Sequence, residues 1–166
     1  MRRKSFAVMR CSIARALDLV GEWWTMLVVR EAFMGTTRFD AFQRNLGIAP
    51  NILSARLKRL VASGVLQRMP AGGARRQEYR LTEKGRDLFP VLVALLQWGD
   101  RWLAGPDGPP VRLLDRAAGL PVAVGVRSSD GRTLRPTDIR LVPGPGARDA
   151  TRRRFADPSG GAPPDG

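Results

Sequence analysis

Ala49-Pro50-Asn51-Ile52-Leu53-Ser54-Ala55-Arg56-Leu57-Lys58-Arg59-Leu60-Val61-Ala62-Ser63-Gly64 decides the fold. Pro50 suits the first turn of a helix, where its missing N–H costs nothing. Gly64 suits a left-handed stop after the last turn. At about 100° per residue, Leu53, Leu57, Leu60 and Val61 fall on one stripe. Asn51, Ala55, Lys58 and Arg59 point the other way, with Ser54 and Arg56 on the flanks. That outer face is small, amide-bearing, hydroxylic and cationic, and the helix holds no carboxylate. Such a surface fits a DNA major groove. A solvated basic face on an amphipathic helix is the plainer alternative.

The neighbours of this helix narrow the choice. Upstream, Thr36-Thr37-Arg38 lead into a short helix with Phe39, Phe42 and Leu46 on one face, ended by Gly47. Two short helices joined by a tight turn make a helix-turn-helix. Downstream, residues 65–69 and 75–81 read as two strands around a glycine-rich turn at 70–74. A hairpin there, shouldered by Arg75 and Arg76, is a wing. Farther upstream, Ser12 is expected to cap a helix to about Val20, closed by Gly21, and Thr25 to open an apolar helix ending at Met34-Gly35. Thr82 with Glu83 is expected to start one long helix to about Leu103, with Pro90 kinking its interior. Its apolar residues cover more than one face, which predicts a second subunit over the excess.

Charge and absences bound the function. The 166 residues carry 28 Lys and Arg against 15 Asp and Glu, a net charge of +13. Residues 1–104 hold 18 of the bases and 8 of the acids, so the polyanion signal lies mainly there. There is no histidine and one cysteine, Cys11. Hydrolases with a histidine base and the usual zinc sites are thereby excluded, as is an internal disulfide. Asp18, Glu22, Glu31 and Asp40 lack paired-carboxylate spacing, and no glycine-rich phosphate loop occurs. Neither an enzyme nor a cofactor nor a metal is expected. Met1-Arg2-Arg3-Lys4 precedes no apolar run of signal-peptide length, and no run is long enough to span a bilayer. The expectation is a soluble, cytoplasmic protein that does not use a membrane.

The character changes at Gly105. Residues 105–166 include 10 Gly and 10 Pro, too many for a packed helical core. Within them 111–114, 122–127 and 139–142 suggest strands, and Ser129-Asp130-Gly131-Arg132 a turn. The expected organisation is a basic arm (1–10), a winged helix-turn-helix with its dimerisation helices (11–104), a small β-rich appendage (105–142) and a disordered tail (143–166). The fold class is mainly α (α+β). Arg152-Arg153-Arg154 in the tail reads as a solvated charge run in preference to a phosphate contact.

The motifs together resemble the HxlR-type winged helix-turn-helix regulators of the MarR-like superfamily. The segment Cys11-Ser12-Ile13-Ala14-Arg15-Ala16-Leu17-Asp18-Leu19-Val20-Gly21-Glu22-Trp23-Trp24-Thr25 is similar to the family form C-P-V-x-x-x-L-x-x-[IL]-G-x-[KR]-W-[TS]. Arg30-Glu31, Gly35, Arg38-Phe39, Leu53-Ser54-Ala55-Arg56-Leu57 and Leu81-Thr82-Glu83-Lys84-Gly85 match in order, covering about residues 9–103. Ser12 replaces a usual proline and Trp23 a usual basic residue. The resemblance implies a homodimer joined through its first and last helices, with Ile13, Leu17, Leu92, Leu95, Trp98 and Trp102 at the interface. It also implies a near-palindromic double-stranded operator and favours repression, leaving activation open. In some members a cysteine at the position of Cys11 senses electrophiles or oxidants. Arg10 and its basic neighbours would favour a thiolate there; a small buried filler at the interface is the competing reading. A small-molecule effector stays open. The extension is similar to a tail on some actinobacterial-type members, which can carry cysteine knuckles; none stand here.

On this reading two recognition helices enter successive major grooves roughly 34–36 Å apart. Asn51, Ser54 and Lys58 approach base edges. Thr37, Arg56 and Arg59 lie nearer phosphate, with Arg38 equally suited to a surface ion pair. Arg75 and Arg76 take the minor groove, assisted by Gln77. The alternative is a nonspecific DNA-architectural or RNA-binding protein, but no aromatic platform for single strands is visible.

Overall fold

A computed structural model describes residues 6, 8–72 and 76–156. The chain divides into two compact units, Met1–Pro110 and Val111–Gly166. The first contains α1 (Ser12–Val20), α2 (Thr25–Phe33), α3 (Phe39–Leu46), α4 (Pro50–Ala62), β1 (Leu66–Pro70), β2 (Gln77–Leu81), α5 (Glu83–Arg86) and α6 (Phe89–Trp102).

Helix α4 has the ends its sequence suggests. Pro50 occupies the first turn after Ala49, and Gly64 takes φ +73°. The Val65 N–H donates to the Leu60 carbonyl at 2.9 Å and Gly64 N–H to Val61 at 3.0 Å. This pair of bonds closes the carbonyl end of the helix and turns the chain into β1. Leu53, Leu57 and Leu60 are fully buried with Val28, Val29, Phe42, Ile48, Val65 and Leu66 in one core. Burying each such side chain stabilises the fold by roughly 1.5–3 kcal/mol.

The strands pair antiparallel, from Leu66 opposite Leu81 to Pro70 opposite Gln77. The segment before α3 joins them: Tyr79 N–H donates to the Thr37 carbonyl at 2.8 Å, and Arg38 bridges Glu78. Phe42 meets Tyr79 edge-on at 6.5 Å, fixing the wing against α3.

Behind the wing, Thr82 Oγ1 donates to Gly64 O at 2.6 Å and accepts from Gly85 N at 3.1 Å, capping α5. A Cβ on Gly85 would lie 2.2 Å from the Val65 carbonyl oxygen. Only glycine lets α5 approach so closely.

Four local expectations change. Cys11 rather than Ser12 is the N-cap of α1, and it makes no side-chain cap bond. The single long helix expected from Thr82 to Leu103 is two helices, because Pro90 stands in the first turn of α6 instead of kinking an interior. Its missing N–H and its ring cannot be accommodated in a helix interior, so the helix breaks ahead of it. In the second unit, residues 111–142 form no strand. They make two isolated bridges, Leu114–Pro121 and Arg127–Thr133, and one tight turn of 3₁₀ helix at Pro136–Asp138. Gly125 interrupts the run at 122–127, while Pro110, Pro121 and Pro143 flank the three runs, so no ladder extends. Within the tail expected to be disordered, α7 spans Asp149–Arg154. Asp149 in its first turn and Arg152 to Arg154 in its last complement the helix dipole. Residues 157–166 of that tail, and 1–5 and 7 of the basic arm, lie outside the described residues.

One buried acid joins α2 to α3. Glu31 accepts from Arg30 Nη2 and Asn45 Nδ2, each at 2.9 Å, and from Thr36 Oγ1 at 3.3 Å. Burial alone would raise its pKa, but the bonds from Asn45, Arg30 and Thr36 prevail and hold it below the ordinary value. A depressed folded value contributes stability above the unfolded carboxyl range, near about pH 4.3. That contribution disappears as pH falls through the lower folded value. Urea titrations of wild type and Glu31→Gln should therefore differ by about 1–3 kcal/mol at neutral pH. The two should converge as pH falls through the lowered folded value of Glu31. A gap independent of pH would contradict the assignment.

Candidate nucleic-acid interface

The inward leucines of α4 leave Asn51, Ser54, Ala55 and Lys58 exposed together on its other side. The side chains of Asn51, Ser54 and Lys58 make no hydrogen bond or ion pair with other described residues. Their polar ends are therefore uncommitted. Arg38, Ala71, Gly72, Arg76, Gln77 and Glu78 line a shallow depression where the wing meets the start of α3. Arg76 and Gln77 are exposed, and Arg38 pairs with Asp40 at 3.2 Å in the open. Such a pair contributes roughly 0–1 kcal/mol and is readily exchanged for a phosphate. Thr37 is half-buried and its carbonyl serves the wing. Arg75 lies outside the described residues.

Arg56 and Arg59 sit elsewhere. Expected near phosphate, they face the turn between α1 and α2. Arg56 Nε donates to the Trp23 carbonyl at 3.0 Å and its guanidinium pairs with Glu22. Arg59 pairs with the other Glu22 oxygen at 2.9 Å, donates to the Asp18 carbonyl and lies 3.8 Å from its carboxylate. Glu22 is only 16% exposed, so this pairing is poorly screened. Trp24 enters α2 at φ +74°, a left-handed conformation an L-residue adopts at a cost of roughly 1–2 kcal/mol. Sequence alone does not reveal this clamp, since its partners stand 33 to 41 positions apart with no local pattern. Nor does it mark Arg68, exposed on β1 opposite Tyr79 and without a described partner.

The residues expected at a dimer interface are largely uncovered in the single chain. Ile13 is 71%, Trp98 57% and Trp102 62% exposed; Leu17 and Leu95 are exposed and Leu92 half-buried. They lie on α1 and α6. Cys11 is exposed at the start of α1, so within one chain it is not the buried filler of the competing reading.

The sequence family described as HxlR-like helix-turn-helix matches residues 19–106. The chain belongs to the HxlR family. HxlR relatives described as uncharacterized HTH-type transcriptional regulators in Mycobacterium bovis and Mycobacterium tuberculosis are 46% identical over 139 residues. That span is 81% of this chain and 87% of theirs. The crystal structure of PA1607, a candidate transcription factor, is similar at a TM-score of 0.78 and 50% identity, covering 83% of this chain and 98% of that one. The redox regulator HypR in its reduced form is similar at a TM-score of 0.52 and 29% identity, over 56% of this chain and 96% of that one. This HxlR chain is thus a transcriptional regulator with a winged helix-turn-helix DNA-binding fold, and not an enzyme. Among the described residues no helix is long and apolar enough to cross a membrane.

Proposed function

We propose that this HxlR protein acts as a homodimeric repressor on a near-palindromic double-stranded operator. The observation that carries the reading is the division of α4. Its leucines are fully buried, two flanking arginines are engaged by Glu22, and among the described residues the side chains of Asn51, Ser54 and Lys58 stay exposed and unpaired. An amide suits adenine and an ammonium suits guanine in the major groove. Arg38, Arg76 and Gln77, with Arg75, supply backbone contacts that position without specifying. Arg56 and Arg59 orient the helix and do not touch phosphate. A second copy covering the apolar faces of α1 and α6 would set two α4 helices one DNA turn apart.

Footprinting of the promoter beside its own gene tests the reading. A discrete footprint with symmetric half-sites is expected; diffuse protection would favour the nonspecific architectural alternative. Asn51→Ala should relax preference at one base position by about 1–3 kcal/mol. Trp98→Glu should convert the dimer to a monomer in sedimentation and abolish the footprint. A Trp98→Glu dimer with a normal footprint would refute the interface.

An effector response is the remaining part of the proposal. Cys11 is accessible at the head of α1, and HypR has been solved in both reduced and oxidised forms. Repeating the footprint with a thiol-reactive compound should release DNA from wild type but not from Cys11→Ser. Release from both proteins would remove Cys11 from the mechanism and leave a small-molecule effector to be sought elsewhere.

A further inference from the structure

We propose that the second unit is an additional, sequence-independent contact for the DNA backbone, with α7 as its principal surface. The stretch Val111–Ala156 carries ten arginines, four aspartates and neither lysine nor glutamate. Composition alone would permit local neutralisation. The structure shows where the carboxylates go. Asp115 accepts from the backbone N–H groups of Ala117 and Ala118. Asp130 accepts from Ser128 Oγ and Arg132 N–H, and Asp138 from Arg135 N–H. Three of the four acids thus shape turns through backbone or hydroxyl donors.

The guanidinium groups are left without acids. Arg112, Arg116, Arg132, Arg140, Arg148, Arg152 and Arg153 have no side-chain bond or ion pair with a described residue. Arg127 donates only to the Gly131 carbonyl, and Arg154 lies over the Phe155 ring, 5.4 Å from its centre. Arg148 is the N-cap residue of α7, four positions before Arg152, and Arg152, Arg153 and Arg154 crowd the last turn. Like charges at this spacing oppose helix formation. A polyanion lying along the helix removes that opposition and gains counterion release. Duplex DNA is the polyanion chosen because the first unit carries a DNA-reading fold on the same chain, which keeps the second unit at high effective concentration near bound DNA. That choice alone rests on the proposed function. The surface itself does not.

The test uses the full chain, a labelled mixed-sequence duplex and a single-stranded RNA of equal length. Anisotropy titrations are run between about 50 and 200 mM salt, where counterion release dominates. Neutralising Arg148, Arg152, Arg153 and Arg154 to Gln should weaken duplex binding at least tenfold at low salt. It should also reduce the slope of log affinity against log salt by about 3. Replacing the same four by Lys should restore the slope, since phosphate accepts a point charge, whereas a packing role for Arg154 would not be restored. An unchanged slope in the Gln variant, or no rescue by Lys, overturns the proposal. A larger loss on RNA than on the duplex overturns it in favour of an RNA surface. The combined variant Asn51→Ala with Ser54→Ala, which removes no charge, separates the two readings. It should lose operator preference while keeping the mixed-sequence slope. Loss of that preference beside an unaffected Gln variant would leave the proposed function standing and this inference refuted; the reverse pattern would do the opposite.

Discussion

Gly85→Ala is expected to lower the stability of the first unit by about 3 kcal/mol, the upper end for forcing atoms into a packed site. The added carbon would lie 2.2 Å from the Val65 carbonyl oxygen and 3.0 Å from Leu81 Cδ2. Leucine can rotate away, but the carbonyl cannot. It accepts from Thr82 N–H at 3.1 Å and belongs to a residue that is itself 1% exposed. Relief therefore requires α5 to lift from the base of the wing, which also lengthens the Thr82 cap. A thermal melt should fall by on the order of 10 °C or more. A loss under about 1 kcal/mol, a typical value for an ordinary substitution, would show that α5 moves freely and that the close approach is not required.

Glu22→Ala should lower stability by about 2 kcal/mol, less than the 3–5 kcal/mol for breaking a fully buried pair because Arg59 is 39% exposed. Its second effect has the opposite sign. The substitution removes the shared anion of two arginines and returns both cations to the flank of α4. Nonspecific DNA affinity should rise, and the salt dependence should steepen by up to about 2 per subunit. Glu22→Gln should show the same electrostatic change with less disturbance of packing. A double-mutant cycle with Arg59→Ala should give a coupling above about 0.5 kcal/mol. If Glu22→Ala left both the melt and the salt dependence unchanged, Arg56 and Arg59 would not be clamped in solution.

The two predictions mark what sequence could and could not reveal. Helix α4 was legible because its determinants are local: leucines at helical spacing, a proline in the first turn and a glycine after the last. The wing was legible for the same reason, from two short runs around glycines. Glu22 gave no such signal. It stands in a turn, and its meaning arises only when α1 is folded against a helix more than thirty residues away. Gly85 was visible as part of a motif, but the carbonyl it must avoid belongs to Val65, twenty positions earlier and just ahead of β1. Pro90 was recognised as a disturbance yet assigned to the wrong place, because a helix interior and a helix start contain the same neighbours on either side. In the second unit, alternating β-branched residues resembled strands, while the capping duties of Asp115, Asp130 and Asp138 could be seen only in three dimensions. The uncommitted face of α4 was read correctly as exposed, but Arg56 and Arg59 were grouped with it by angle when length and charge draw them the other way.

The break at Pro90 has a consequence for how such a protein can diversify. In one continuous helix, inserting a residue after the wing would rotate everything beyond it by about 100°. Here α5 ends at Arg86 and α6 begins at Phe89, seated by Val93 in the interior and by Phe33, whose ring lies 5.3 Å from that of Phe89. The short link can absorb a change of length while α6 keeps its seat. If α6 joins two subunits as proposed, it can be retuned, altering the distance between half-sites, without disturbing the face of α4 that carries Asn51, Ser54 and Lys58.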